Sequence, residues 1–257
     1  MNNLHDIVSH FSIDGTVDVI EPMGAGLIND TYRVATVSSD TDDYVLQRIN
    51  HSIFKDVDLL QRNVVNVTEH IRKKLQERGE TDIKRKALRF IPAKDGKMYY
   101  FDGESYWRIS VLIPKSKTFE TVNPEFAYYT GKAFGDFQSM LVDIPQQLGE
   151  TIPKFHNMEF RLETFKKSIK DNKAGRLEKA QWLVDELLVR ADEMCKAERL
   201  HREGILPKRI THCDTKVNNM LFDENGKVLC VIDLDTTMPG YVLSDFGDFI
   251  RTAGNTG

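Results

Sequence analysis

The stretch HCDTKVNN at residues 212–219 places the carboxylate of Asp214 five residues before the amide of Asn219. The segment VIDLD at residues 231–235 adds the carboxylate of Asp233 at the end of a short apolar strand. The turn signal DENG at residues 223–226 lies between the two segments, so we expect them to sit side by side on a strand–turn–strand unit. Carboxylate and amide oxygens are the hard ligands that Mg²⁺ prefers. The pattern therefore predicts a phosphoryl-transfer site.

In such a site Asp214 accepts the proton of the attacking hydroxyl, while Asn219 and Asp233 hold Mg²⁺ against the phosphates of a nucleotide. The alternative is a local turn at residues 212–214 and an ordinary strand end at residues 232–235. Each half is a weak signal by itself. Their combination at this spacing, on a strand–turn–strand unit, favours the functional interpretation.

The rest of the chain predicts two lobes. Residues 17–112 alternate like β-strands, apart from one helix whose apolar positions recur every three or four residues. Residues 114–123 have no strong periodicity and predict a hinge, and helical patterns follow. We therefore expect an α+β fold with an antiparallel β lobe at residues 1–113. A mainly helical lobe that carries the catalytic β-hairpin is expected at residues 124–257, with the nucleotide in the cleft between the lobes.

The composition is typical of a globular protein, since 40% of the 257 residues are hydrophobic and 29% are charged. The net charge of −4 gives no basic field, which argues against nucleic acid as a partner. The three cysteines are far apart and lack metal-ligand spacing, as expected in a reducing compartment. No signal peptide or membrane-spanning run is evident. We expect a cytoplasmic protein, a monomer or weak homodimer, without a membrane partner.

The pattern H-x-D-x-x-x-x-N at residues 212–219, followed by the ID pair at residues 232–233, resembles the aminoglycoside phosphotransferase and choline kinase group of protein-kinase-like enzymes. The resemblance implies a two-lobed protein-kinase-like fold, with ATP and Mg²⁺ as cofactors. It also implies that His212 braces the loop and that Lys216 touches the transferred phosphate.

Two further carboxylates are open to more than one interpretation. Asp235 is interpreted as a second metal contact, with an acceptor-site residue or a water-facing strand end as alternatives. The DFG triplet at residues 245–247 looks like the magnesium triplet of protein kinases. Asp233 already occupies the metal position on the strand after the catalytic loop. We therefore expect Asp245 to brace that loop.

The segment GAGLINDT at residues 24–31 lies between two predicted strands, where glycines allow backbone N–H groups to approach phosphates. We expect its residues Gly24, Gly26, Asn29 and Thr31 to bind the nucleotide, and an ordinary hairpin turn is the alternative. Relatives carry an Arg on the third strand where protein kinases carry a Lys. The resemblance thus implies phosphate binding by Arg48, the alternative being a surface Arg on an edge strand.

Four segments look like the N-acetylhexosamine 1-kinase branch: GLINDTY at 26–32, YVLQRIN at 44–50, IPKFH at 152–156 and IDLDTTMPG at 232–240. That branch uses ATP to phosphorylate the anomeric hydroxyl of GlcNAc or GalNAc, so the resemblance implies a sugar substrate. A kinase for choline, homoserine or an aminoglycoside and a non-catalytic nucleotide-binding fragment both stay open. Relatives continue past residue 257 with helices of the acceptor pocket. We therefore expect a truncated product that binds Mg–ATP but turns over weakly or not at all.

Overall fold

The computed structural model describes residues 3–24 and 28–254. The first lobe is built on one antiparallel sheet, in which the strands follow the order β1-β2-β3-β6-β4 and β5 also pairs with β6. These strands are β1 (Val17–Pro22), β2 (Asp30–Thr36), β3 (Tyr44–Ile49), β4 (Phe90–Ile91), β5 (Tyr100–Phe101) and β6 (Tyr106–Val111).

The two faces of this sheet follow from the alternation of side chains along β3 and β6. Leu46 points to the outer face, where it packs with Trp107 and with the short helix α1 (Leu4–Ser9). Gln47 and its cross-strand partner Arg108 lie on the opposite face, which is turned toward the second lobe. The position of a residue in this alternation therefore decides whether its side chain can reach the cleft between the lobes.

The helix α2 (Val57–Glu77) joins the sheet to the second lobe. Asp56 caps it, because the carboxylate accepts the N–H of Leu59 at 2.8 Å. The apolar positions that predict this helix are buried, and they pack against Phe137 and Leu234 of the second lobe. One hydrophobic core thus runs from the sheet through α2 into the second lobe.

The second lobe combines helices with two small sheets. In one sheet β9 lies between β10 and β7, and β7 falls within residues 114–123. In the other sheet β8 pairs with β11. The helix α3 (Ile83–Lys86) belongs to the first lobe. The remaining elements are β7 (Ser116–Lys117), α4 (Pro124–Met140), α5 (Met158–Asp171), α6 (Leu177–Met194), α7 (Lys196–Arg202), β8 (Arg209–Thr211), β9 (Met220–Asp223), β10 (Val228–Val231), β11 (Met238–Gly240) and α8 (Val242–Ala253). None of the helices in the described part of the chain is long and apolar enough to cross a bilayer.

The predicted α+β, two-lobed fold class is confirmed. The start of α4 agrees with its sequence signal, because Asn123 accepts the N–H of Phe126 at 2.8 Å and Pro124 occupies the first helical position. The pattern of residues 176–203 predicts one long helix, and this prediction is wrong, because α6 and α7 meet at Cys195. The first lobe also carries the short helices α1 and α3 besides the one expected helix. Helices of six and four residues are too short to display an apolar period.

Candidate active site

The loop at residues 212–219 follows β8 directly, and His212 anchors it. The imidazole is fully buried and meets two phenylalanine rings of α4 edge-on. Its Nδ1 lies 3.3 Å from the N–H of Asp214 and must accept that bond, so the ring proton is on Nε2. Nε2 then donates to the carbonyl oxygen of Ile232 at 2.9 Å. His212 therefore ties this loop to the chain that leaves β10.

Asp245 holds the same loop from α8. Its Oδ2 accepts the N–H of His212 at 2.9 Å, and its Oδ1 accepts the N–H of Cys213 at 2.8 Å. Gln138 donates to Oδ2 at 2.7 Å, and the hydroxyl of Thr215 donates to the Asp245 carbonyl oxygen at 2.6 Å. Cys213 has a φ of +63°, which is costly for a residue with a Cβ, and these bonds hold it there. The predicted bracing role of Asp245 is confirmed.

Asp214 has a partly exposed side chain whose Oδ2 is held by two donors. Lys216 Nζ donates to this oxygen at 2.7 Å, and Asn219 Nδ2 donates to it at 3.0 Å. Asn219 Nδ2 also donates to the Asp214 carbonyl oxygen at 2.8 Å. Since the amide nitrogen of Asn219 is engaged in this way, its Oδ1 is the atom that can bind a cation.

Asp233 borders this group from the end of β10. The N–H of Ile232 donates to the carbonyl oxygen of Asn219 at 2.9 Å, which brings Asp233 next to Asn219. Part of the Asp233 side chain is exposed. The protein atoms around the carboxyl group nevertheless reduce its hydration, and this raises its pKa. The negative charge of Asp235 raises that pKa further. A carboxylate and an amide oxygen side by side fit Mg²⁺, which takes few protein ligands. Within residues 3–24 and 28–254, no cluster of three or more His, Cys, Asp or Glu side chains is arranged to hold a metal ion.

Asp235 is buried, and other side chains already occupy its carboxylate. Arg108 approaches both carboxylate oxygens, with Nη1–Oδ1 at 2.6 Å and Nη2–Oδ2 at 2.9 Å, and Asn29 Nδ2 donates to Oδ2 at 2.8 Å. Asn29 is engaged on its other side as well, because its Oδ1 accepts the N–H of Asn50 at 2.9 Å. The hydroxyl of Thr151 donates to the Asp235 carbonyl oxygen at 2.7 Å. This geometry favours a role in joining the lobes over the metal contact that we interpreted from the sequence.

The position of Arg48 contradicts its assignment to phosphate binding. Its cross-strand partner is Trp107, which packs on the outer face of the sheet, so Arg48 points away from the cleft. Its side chain is 49% exposed and pairs with Asp30, with Arg48 Nε and Asp30 Oδ2 at 2.6 Å. The alternative of a surface Arg agrees with this position.

The glycine-containing segment at residues 24–31 is described in part. Gly24 is exposed and has a φ of +70°, a conformation that favours glycine. Gly26 lies outside the described residues. Thr31 is on the face of the sheet that is turned toward the cleft, where its Oγ1 accepts a bond from Gln47 Nε2 at 3.3 Å. Thr31 therefore presents its hydroxyl on the side of the sheet that is turned toward the second lobe.

Arg108 and Gln47 belong to this site, although the sequence motifs do not point to them. Gln47 Oε1 accepts a bond from Arg108 Nε at 3.0 Å, so the two side chains form one polar layer on the sheet. A signal was present in the segment YWRISV at residues 106–111, where Arg108 is the one charged residue of a mainly apolar strand. A buried Arg requires a carboxylate partner. The identity of that partner cannot be deduced from local sequence.

Solved structures support the fold, although their sequence identities are low. An aminoglycoside phosphotransferase from Alicyclobacillus acidocaldarius matches with a TM-score of 0.61 and 15% identity, over 96% of this chain and 70% of that chain. A choline kinase from Streptococcus pneumoniae matches with a TM-score of 0.52 and 13% identity, over 98% of this chain and 74% of that one. An amicoumacin kinase, in complex with AMP-PNP and Ca²⁺, matches with a TM-score of 0.61 and 13% identity, over 97% of this chain and 68% of that one.

The solved structures, at these low identities, show the fold alone. A family model shows which family the chain belongs to. The model is described as "APH: Phosphotransferase enzyme family", and it matches residues 19–256. The match includes the 212–219 loop, Asp233 and the sheet of the first lobe except the first two residues of β1. This protein therefore belongs to the APH phosphotransferase enzyme family.

Proposed function

We propose that this protein is a Mg²⁺- and ATP-dependent kinase that transfers the γ-phosphate of ATP to the anomeric 1-hydroxyl of an N-acetylhexosamine, GlcNAc or GalNAc. The observation that carries the kinase proposal is the partly exposed carboxylate of Asp214, held on one oxygen by Lys216 and Asn219. Membership of the phosphotransferase family supports it. The sugar acceptor is supported by the four sequence segments that resemble N-acetylhexosamine 1-kinases.

Asp214 acts in this proposal as the base that takes the proton of the acceptor hydroxyl. The anomeric hydroxyl is more acidic than an ordinary alcohol, so a carboxylate with a modest proton affinity suffices. The bonds from Lys216 and Asn219 fix the rotamer of Asp214, which matters because phosphoryl transfer depends mainly on positioning and on neutralising charge. In this proposal the ammonium of Lys216, which lies 2.7 Å from Asp214 Oδ2, also neutralises charge on the transferred phosphate.

Asn219 and Asp233 are the residues that would hold Mg²⁺, and Gly24 and Thr31 are proposed to face the phosphates. When bound, the ion neutralises charge on the nucleotide phosphates. The amicoumacin kinase in complex with AMP-PNP and Ca²⁺ has the same fold, which supports a nucleotide and a divalent cation as ligands of this chain.

A small cavity offers a place for part of the acceptor. Its volume is about 70 Å³, and it borders the 212–219 loop at Cys213. Residues 154–156 and 238–240 line it, and these belong to two of the segments that carry the hexosamine-kinase resemblance. Buried Glu198 also lines it, and one of its carboxylate oxygens, Oε2, has no hydrogen-bond partner among the described residues. Such a carboxylate suits a hydroxyl or N–H substituent of a sugar.

The experiment is an ATP-consumption assay with GlcNAc, GalNAc, choline, homoserine and an aminoglycoside as acceptors, followed by NMR of the product. We expect any turnover, even weak turnover, to be fastest with an N-acetylhexosamine and to place phosphate on the anomeric oxygen. Asp214→Asn should lower turnover by about 10²–10⁴-fold, because a general base is lost. Asp171→Asn is the matched control, since Asp171 is exposed at the end of α5, and it should leave turnover unchanged.

The binding of Mg–ADP, measured by isothermal titration, separates the remaining outcomes. Binding with turnover on another alcohol would leave a kinase with a different acceptor. Binding without turnover on any acceptor would leave a non-catalytic nucleotide-binding module. Absence of binding, or full turnover in Asp214→Asn, would contradict the proposed site.

A further inference from the structure

A buried ion pair joins the two lobes beside the proposed metal site. Arg108 comes from β6 of the first lobe, and Asp235 comes from the second lobe, two residues after Asp233. Both residues are only 2% exposed, and the guanidinium binds the carboxylate with two parallel bonds. Bidentate Arg–carboxylate pairs have a defined geometry, so this contact fixes the orientation of both partners.

Neighbouring strands of the first lobe reinforce the pair. Gln47 of β3 accepts a bond from Arg108 Nε at 3.0 Å, which holds the guanidinium from behind. Asn29, just before β2, donates to Asp235 Oδ2 at 2.8 Å. Arg108 of β6 and Asn29 therefore bind the carboxylate of Asp235 directly, and Gln47 of β3 supports it through Arg108.

The backbone that carries this carboxylate also carries Asp233. Asp233 has a φ of +59° and a ψ of +56°, a left-handed conformation that a residue with a Cβ adopts only where its surroundings require it. The next three residues form a 3₁₀ turn that includes Asp235. The same turn is tied to the 212–219 loop, because the hydroxyl of Thr236 donates to the carbonyl oxygen of His212 at 2.8 Å.

We propose that Arg108 is a positioning residue for the metal site. By holding Asp235 it keeps the turn at Asp233 in the conformation that presents the Asp233 carboxylate to the cation, so contact between the lobes and metal binding are coupled. The inference rests on the proposed function, since it assigns Asp233 to Mg²⁺. Removal of partners that orient metal ligands lowers metal affinity by about 10- to 100-fold.

A second ion pair between the lobes provides a matched control. Arg78, at the end of α2, binds Asp136 of α4 through two hydrogen bonds of 2.9 and 3.0 Å. This pair crosses the same boundary with the same chemistry, but its side chains are 40% and 50% exposed and it is far along the chain from Asp233. A variant of Arg78 therefore removes a contact between the lobes without touching the turn at Asp233.

The first experiment measures the Kd of ADP by isothermal titration with and without Mg²⁺, in the wild type and in the variants Arg108→Gln, Asp235→Asn and Arg78→Gln. The Kd without Mg²⁺ divided by the Kd with Mg²⁺ is a ratio that reports the contribution of the metal to ADP binding. We expect this ratio to fall by about 10-fold or more in Arg108→Gln and Asp235→Asn, with little further loss in the double variant, and to stay unchanged in Arg78→Gln. An unchanged ratio in Arg108→Gln would overturn the proposal. Arg108→Lys, which keeps the charge and loses the bidentate geometry, replaces Arg108→Gln if that variant does not fold.

The second experiment uses the protein without nucleotide or metal. Hydrogen exchange measured by mass spectrometry should show faster exchange in residues 232–237 of Arg108→Gln than of Arg78→Gln, with similar rates elsewhere. A uniform increase over the whole chain would mean that Arg108 contributes only to stability, and the positioning role would then be wrong. If the wild type binds no nucleotide, the proposed function fails, and this exchange measurement decides by itself whether Arg108 holds the turn.

Discussion

Replacement of Asp245 by Asn tests how the 212–219 loop is held. The change conserves the volume of the side chain and removes one acceptor oxygen. Oδ2 accepts from His212 and Gln138, whereas Oδ1 accepts from Cys213 alone. The amide oxygen of Asn should therefore take the Oδ2 position, and its NH₂ group would face the N–H of Cys213.

Two buried donors then lack acceptors, namely the N–H of Cys213 and the new amide. At about 1–3 kcal/mol for each buried unsatisfied group, the free energy of unfolding should fall by about 2–6 kcal/mol. For a chain of this size, at about 2–4 °C for each kcal/mol, we expect the melting temperature to fall by about 4–24 °C. Turnover should fall by more than the folded fraction does, because Cys213 and Asp214 are adjacent in the loop.

Urea unfolding followed by circular dichroism measures the first effect, with Asp171→Asn as the control. Asp171 is exposed at the end of α5. Substitution of such a surface residue should change the free energy of unfolding by less than about 0.5 kcal/mol. Equal destabilisation by the two variants would refute the bracing role of Asp245.

Three further changes can be measured. Lys216→Met should lower turnover by about 10-fold or more, because the ammonium acts on Asp214 and the transferred phosphate. The binding of ADP without Mg²⁺ should change little. Equal losses in turnover and in this binding would contradict that role. Burial raises the pKa of the Cys213 and Cys230 thiols to about 12. Both thiols should therefore remain protonated and resist a thiol reagent at pH 8 until the protein unfolds. Rapid labelling of the native protein would contradict their burial. The backbone N–H of Lys154 and the ammonium of Lys208 lower the pKa of Glu150, so its contribution to stability is present at neutral pH and is lost as the pH falls from the ordinary value of 4.5 through the lowered pKa. Glu150→Gln should therefore reduce the free energy of unfolding at pH 7 and have little effect near pH 3, as urea unfolding at the two pH values would show.

The sequence predicts the 212–219 loop well because its signals are local. Asp214, Lys216 and Asn219 lie within six residues, and their side chains meet as the spacing suggests. The bracing by Asp245 was also predictable, since the sequence pattern had already assigned the metal position to Asp233.

The error at Arg48 has a different cause. In the segment YVLQRIN, Tyr44 and Leu46 are apolar and share a face with Arg48, so the period of two already placed Arg48 away from the cleft. The expectation from relatives relied on the strand and did not consider the face. Gln47 is the residue of β3 that points toward the second lobe.

The contact between Arg108 and Asp235 could not be predicted from sequence in this way. The two residues are 127 positions apart, and neither belongs to a recognisable spacing with the other. Their meeting depends on how β6 and the turn after β10 are brought together by the packed lobes. The break between α6 and α7 is similar, because Cys195 is neither a glycine nor a proline and only tertiary packing ends the helix there.

The core that runs through α2 has a consequence for how the protein unfolds. Its apolar stripe packs on the sheet and on residues such as Phe137 and Leu234, so separating the lobes would expose it to water. The lobes should therefore melt in a single cooperative transition, although they look like two bodies joined by a hinge. Relative motion of the lobes would then be limited to small rotations about α2, and residues 1–113 produced alone should aggregate through that exposed stripe.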